Sequence, residues 1–174
     1  MLGLPWRRRR VRRILGMLRG RTPWGGVLLD VGGASGVGAE EAVRLAPDGT
    51  YRRRVVLDPQ RGMLVKVRPD PVRVGRLDVV QADAVRLPFP DRSVDVLLSL
   101  GVLCCMTDDA LPLAVAETWR VLRPGGLAVV GVPLRRGDAD DPLFRALGFQ
   151  RVRRLRPGRS LYERPPEGTE APRR

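Results

Sequence analysis

Short apolar runs alternate along the chain with longer stretches whose apolar residues recur every three to four positions, the pattern of strands alternating with helices. Val27, Leu28 and Leu29 form the first run, which ends in Asp30. Gly32, Gly33, Ala34, Ser35 and Gly36 follow, and from Val37 a helical pattern continues through Glu40, Glu41, Val43 and Leu45. Strand, glycine-rich turn and helix are thus predicted over this unit. Glycine suits the turn because the chain reverses sharply there and lets a ligand approach the free N–H groups at the helix start. Pro47, Asp48 and Gly49 stop the helix, and a second apolar strand, Val55 to Leu57, ends in Asp58 before Pro59.

The same alternation continues downstream. A short helix begins near Gln60 with Met63, Leu64 and Val67, and ends at Pro69 and Pro71. Leu77 to Gln81 reads as a third strand closing on Ala82, Asp83 and Ala84, and Val94 to Leu100 as a fourth, apolar enough to be buried on both faces. Asp108 to Leu122 is predicted helical, capped by Thr107 or Asp108, with Leu111, Val115, Thr118 and Leu122 inward. Arg120 and Arg123 suit its negative end, and Pro124, Gly125 and Gly126 its stop. Leu127 to Val132 makes a fifth strand, Pro142 to Leu147 a short helix, and Arg151 to Leu155 with Leu161 to Glu163 a terminal hairpin. Strands alternating with helices predict an α/β fold, a doubly wound, mostly parallel sheet covered on both faces.

Ahead of the first strand, Val11, Ile14, Leu15 and Leu18 fall on one face of a helix, and Arg7 to Arg10, Arg12, Arg13 and Arg19 surround them. Two readings compete: a basic amphipathic helix lying on phospholipid or RNA, or a leader whose apolar stripe packs on the domain while its arginines face water. The second is preferred. Pro23, Gly25 and Gly26 then release the chain. Residues 1–26 are accordingly the leader, 27–164 the α/β domain and 165–174 a disordered tail.

With 174 residues, 43% of them apolar, the chain can bury one core. A formal charge of +13 ordinarily argues for a polyanionic partner. Yet Lys66 is the only lysine among 32 basic residues, so part of the charge reflects compositional bias. A nucleic acid or an anionic membrane surface remains a candidate partner through residues 7–21. Adjacent Cys104 and Cys105 do not form a disulfide framework, and no apolar run reaches the roughly eighteen residues of a membrane span, which together suit the cytoplasm. The cysteines are read as small buried apolar residues.

Asp58 stands at the tip of the second parallel strand, where a carboxylate accepts hydrogen bonds from both ribose hydroxyls of a nucleoside. Asp83 closes the third strand at the same edge. In order, DVGGASG, VVLDPQRGML, VVQADAVRLPFPDRSVDVLLS, ETWRVLRPGGLAVVGVP and LFRALGF resemble the class I S-adenosylmethionine-dependent methyltransferases, most closely the type 11, small-molecule branch. The resemblance implies a Rossmann-like seven-stranded sheet with an antiparallel last strand, and S-adenosylmethionine as cofactor. It also implies that Asp30, Gly32, Gly33 and Gly36 line the methionine end, and that Asp58 and Pro59 stand at the ribose. Ala82, Asp83 and Ala84 then flank the adenine, with Ser99 and Leu100 beside the methionine portion.

The sequence departs from that family at two places. Ala34 stands where glycine is usual, and the chain has no histidine to serve as a general base. Methyl transfer needs mainly positioning and desolvation; if a base is required, Asp108, Asp109 or a cysteine thiolate is near. Short-chain dehydrogenases share a similar glycine turn but need a tyrosine with a lysine four residues on, which neither Tyr51 nor Tyr162 has. The expected function is methyl transfer to a small molecule. The alternatives are an RNA or ribosomal target guided by the leader, or a binding protein that keeps the fold without turnover. The absence of an Asn-Pro-Pro-aromatic tetrapeptide argues against methylation of base amino groups.

Overall fold

A computed structural model describes residues 3–18, 21, 26–45, 51–67, 76–131, 141–155 and 159–168. Seven strands form one sheet: β1 (Gly26–Val31), β2 (Tyr51–Asp58), β3 (Arg76–Gln81), β4 (Val94–Leu100), β5 (Leu122–Gly131), β6 (Gln150–Leu155) and β7 (Arg159–Glu163). Their order is β3-β2-β1-β4-β5-β7-β6. Strands β1 to β5 pair in parallel, and β7, the last in sequence, runs antiparallel to both β5 and β6. Helices α1 (Gly3–Leu15), α2 (Val37–Leu45) and α3 (Arg61–Leu64) bring apolar side chains to one face, while α4 (Ala110–Val121) and α5 (Asp141–Ala146) cover the other. The expected breaks at Pro23 and Gly25, Pro47 to Gly49, Pro69 and Pro71, and Pro157 and Gly158 lie outside the described residues, as does the tail beyond Gly168.

The leader packs on the domain. Val11, Ile14, Leu15 and Leu18 are all buried, beside Leu28, Val37, Ala42 and Leu161. At roughly 1.5–3 kcal/mol for each fully buried aliphatic side chain, burial of these four attaches the leader to the domain while the flanking arginines keep their access to water. Polar contacts fix its register: Arg8 Nη1 and Arg12 Nε donate to the Glu41 carboxylate at 3.0 and 2.6 Å, and Arg8 Nη2 lies 2.7 Å from Glu40. The Glu41 side chain is fully buried. Burial alone would push its carboxyl up, but hydrogen bonds from Arg12 and Arg8, with the charges of Arg12 and Arg44, hold it below the ordinary range.

Two elements differ from expectation. Strand β5 begins at Leu122, before Pro124-Gly125-Gly126, so the proline–glycine segment lies inside the strand instead of terminating a helix ahead of it. A register irregularity between Val94 and Val96 on β4 absorbs it, and Gly125, at φ +75°, donates its N–H to the Arg164 carbonyl. The last carbonyls of α4, those of Arg120 and Val121, accept from the backbone N–H groups of Arg92 and Ser93, and the neighbouring Trp119 carbonyl is met by Arg164, so neither the Arg120 nor the Arg123 side chain caps the helix. Arg164 Nη1 donates to the carbonyls of Trp119, in the last turn of α4, and Leu122, at the start of β5, at 2.7 and 2.8 Å, with the guanidinium over the Trp119 ring. Arg120 instead clamps the Leu87–Asp91 connection through the Leu87 and Phe89 carbonyls and Asp91, and Arg123 pairs with Asp95. Thr107 Oγ1 accepts from Ala110 N at 3.3 Å, but the residue at the N-cap position of α4 is Asp109, which makes no side-chain cap bond, and not the expected Thr107 or Asp108.

The β1–α2 turn holds three residues in the left-handed region: Gly32 (φ +64°), Ala34 (φ +48°) and Gly36 (φ +77°). Only Ala34 carries a side chain there. A left-handed L-residue costs about 1–2 kcal/mol, and glycine gives back about 0.4–1 through its freer unfolded state. Ala34→Gly is therefore expected to stabilise the protein by roughly 0.5–1 kcal/mol, seen as a higher midpoint in denaturant unfolding. Glu41→Gln should cost about 1–2 kcal/mol at neutral pH, since it weakens charge-assisted hydrogen bonds whose arginines can still turn to water. The depressed native carboxyl stabilises the fold above its unfolded value and loses that contribution as pH falls. The gap between wild type and Glu41→Gln should accordingly close below about pH 4.5, the ordinary glutamate value.

Candidate functional site

The carboxyl ends of β1 to β4 meet along one edge of the sheet, and the candidate residues gather there. Their environments differ. Asp30 is buried at the end of β1, and its Oδ2 accepts from Ala39 N at 2.8 Å in the first turn of α2. The contact is tight on its other sides too: a Cβ on Gly33 or Gly38 would stand 2.8 or 2.5 Å from Asp30 Oδ2. Asp30 thus lies beneath the turn and braces it, set back from the edge where a ligand would rest. Gly32 serves close approach, since a Cβ there would meet Val102 Cγ2 at 1.9 Å.

Asp58 faces the turn from β2. Its Oδ2 accepts from Ala34 N at 3.2 Å and its Oδ1 from Gln60 N at 2.9 Å. A carboxylate has about four acceptor positions, so two bonds leave it able to receive two more donors. The N–H groups of Gly32 and Gly33 donate to the Leu57 carbonyl at 2.7 and 3.1 Å, which ties the turn to the end of β2. Gln81 Nε2 donates to the Pro59 carbonyl at 3.1 Å and joins the end of β3 to the same frame. Asp83 is exposed; its Oδ1 accepts from Val85 N at 3.1 Å in a local turn, between half-buried Ala82 and buried Ala84.

On β4, Ser99 is 2% exposed and its hydroxyl has no hydrogen-bond partner among the described residues. A buried hydroxyl left without a partner costs about 1–3 kcal/mol, a cost that a ligand with a polar group at this edge would remove. Leu100 is half-buried next to it. Cys105 corrects an expectation: it is exposed, with its thiol 3.6 Å from the Gly101 carbonyl, and so is no buried apolar residue. Asp108 and Asp109 are exposed ahead of α4.

Two groups went unrecognised in the sequence. Val102, just past β4, crosses directly over Gly32. Glu40 and Arg54 help line a cavity of about 150 Å³ on the α2 side of the turn, together with Arg8, Ser35, Gly36 and Lys66. Nothing local in the sequence marks either, because each depends on strands distant in the chain. Among the described residues no group of His, Cys, Asp or Glu side chains could hold a metal ion, and no helix is long and apolar enough to cross a membrane.

Comparison with known proteins bears on the same region. A family described as a methyltransferase domain matches residues 29–130, from the middle of β1 to the end of β5. A probable S-adenosylmethionine-dependent methyltransferase of Mycolicibacterium smegmatis is 35% identical over 62% of the chain and 38% of its own length. The ubiquinone/menaquinone biosynthesis C-methyltransferase UbiE of Dinoroseobacter shibae is 38% identical over 59% of the chain and 40% of its own length. The match thus spans about two fifths of these relatives. Among solved structures, the N-methyltransferase NodS from Bradyrhizobium japonicum WM9, in complex with S-adenosyl-L-homocysteine, superposes with a TM-score of 0.74 at 16% identity over 90% of this chain and 87% of that one. The [4+2]-cyclase SpnF superposes with a TM-score of 0.65 at 24% identity, over 82% and 58%. The family match spans more than half the chain, in the order of strands and turns that carries the candidate residues, and the chain belongs to the class I, type 11 family of S-adenosylmethionine-dependent methyltransferases.

Proposed function

We propose that the protein transfers a methyl group from S-adenosylmethionine to a small-molecule acceptor in the cytoplasm. The observation that carries this reading is the carboxylate of Asp58, held at the strand edge by the Ala34 and Gln60 N–H groups with acceptor capacity to spare. In that reading Asp58, with Pro59 beside it, takes the two ribose hydroxyls. Asp83 with Ala82 and Ala84 flanks the adenine, and Ser99 and Leu100 face the methionine portion. Gly32, Gly33 and Gly36 shape the turn and Asp30 fixes it from below.

The cofactor supplies an electrophilic methyl on a sulfonium, whose departure returns an electron pair to sulfur. What the chain contributes is placement and exclusion of water, which can supply most of the rate for a reactive acceptor. With no histidine present, an acceptor that must lose a proton would pass it to water or to a carboxylate such as Asp108 or Asp109. UbiE is named as a C-methyltransferase and NodS as an N-methyltransferase, which supports a small acceptor without choosing its atom.

Titration calorimetry of S-adenosylmethionine and S-adenosylhomocysteine into the whole protein tests the reading. Measurable binding that falls about 10- to 100-fold in Asp58→Ala is expected, the loss of charge-assisted hydrogen bonds worth about 1.5–3 kcal/mol. No binding by the wild type would refute it. Ser99→Ala should weaken cofactor binding while raising the unfolding midpoint of the free protein, because it removes a buried hydroxyl that has no partner until ligand arrives.

A further inference from the structure

The arginines of α1 do not share one fate. On a helical wheel, Arg8 and Arg12 lie on the flank that meets α2, where they pair with Glu40 and Glu41. Arg9 and Arg13 point away from the core, and Arg10 lies on the opposite flank, towards the β6–β7 edge. Along β7, Leu161 shares the buried cluster of α1, and alternation puts Arg159 on the same face. Arg153 is the cross-strand partner of Leu161, so it belongs to that face as well. The tertiary fold therefore gathers arginines separated by about 140 positions onto one surface.

The arginines on this surface lie apart from most of the acids. Several acids pair elsewhere: Asp78 with Arg53 and Arg76, Glu117 and Asp91 with Arg120, Asp95 with Arg123 and Glu167 with Arg92, while Glu163, on the same face of β7, stands opposite Leu127 at the far end of the strand from Arg159. Arg9, Arg13 and Arg153 are exposed and have no ion pair with a carboxylate among the described residues. Arg159, half-buried, is pushed below the usual arginine range by burial and then by the repulsion of Arg10 and Arg13. Arg159 is also paired in register with Gly131, the last residue of β5, so the surface reaches the same edge of the sheet as the candidate site.

We propose that this face, built by Arg9, Arg10 and Arg13 of α1 with Arg153 and Arg159 of the terminal hairpin, binds the phosphodiester backbone of RNA. Guanidinium groups pair with phosphate oxygens through two parallel hydrogen bonds, and an extended polyanion relieves the mutual repulsion of several at once. A lipid surface fits less well. Helices that lie on membranes insert their apolar face, whereas Val11, Ile14, Leu15 and Leu18 are already buried in the protein. Among the residues whose burial is described, the exposed large apolar side chains Val65, Val79, Leu113 and Leu147 belong to neither α1 nor the β6–β7 hairpin. The inference is independent of methyl transfer, since none of these arginines belongs to the candidate cofactor site.

Fluorescence anisotropy with a short unstructured RNA tests it on the whole protein. With three to five phosphates neutralised, affinity should fall about 20- to 100-fold between roughly 50 and 200 mM salt. Arg13→Ser/Arg153→Ser should lower the salt slope by about 1.4 and weaken binding at least about tenfold at low salt. Arg52→Ser/Arg86→Ser, which removes the same charge from exposed positions elsewhere, should change it little. Equal losses in the two doubles would reduce the effect to net charge and overturn the proposal, as would salt-independent binding. Tighter binding to phosphatidylcholine–phosphatidylserine vesicles than to RNA, lost in the first double, would replace RNA with a membrane and also overturn it. Unchanged calorimetric titration of S-adenosylhomocysteine and an unchanged unfolding midpoint in both doubles separate this result from a failure to fold or of the cofactor site.

Discussion

Two carboxylates grip the β1–α2 turn from opposite sides. From below, Asp30 accepts the N–H of Ala39 and stabilises the amino end of α2; from the side, Asp58 accepts the N–H of Ala34 at the tip of the turn. Between them Gly32 and Gly33 donate to the Leu57 carbonyl. Because these bonds use backbone groups, they hold the path of the chain and leave side chains free to vary. They also require glycine at Gly33 and Gly38, where a Cβ would collide with Asp30. Ala34 departs from the glycines around it, and its bond to Asp58 offsets part of the strain of its left-handed backbone.

The leader helix extends this frame. Glu41, on α2, joins Arg8 and Arg12 of α1 to the helix that begins at the turn, so α1 and the candidate site share a mechanical element. A buried ion pair is weak ground for net stability because desolvation opposes it, but losing one partner is expensive. Its clearer effect here is geometric. It selects which flank of α1 meets α2, and thereby which arginines face outward at the other flank.

On the far side of the sheet, Arg164 plays the comparable part. It lies past β7 in sequence, yet it donates to the Trp119 and Leu122 carbonyls where α4 passes into β5, stacks on Trp119 and brackets the proline–glycine segment of β5 through its own backbone. The terminal hairpin is thereby joined to α4, with Phe144 stacked on Tyr162 at 4.2 Å between ring centroids. Glu167 pairs with Arg92 just beyond it, within the stretch read from composition as a disordered tail.

The periodicity of apolar residues was enough to read the alternation of strands and helices, the glycine turn and the acids that end β1, β2 and β3, because each of these is dictated by neighbours a few positions apart. The apolar stripe of α1 was equally legible. Its docking was a choice between two surfaces that local pattern leaves open, and burial of four aliphatic side chains against β1, α2 and β7 decided it. The start of β5, the bond from Arg164 to the Trp119 carbonyl and the gathering of Arg9, Arg13 and Arg153 on one face all depend on pairings across scores of residues. No window along the chain contains both partners of such a contact, so only the tertiary structure could place them.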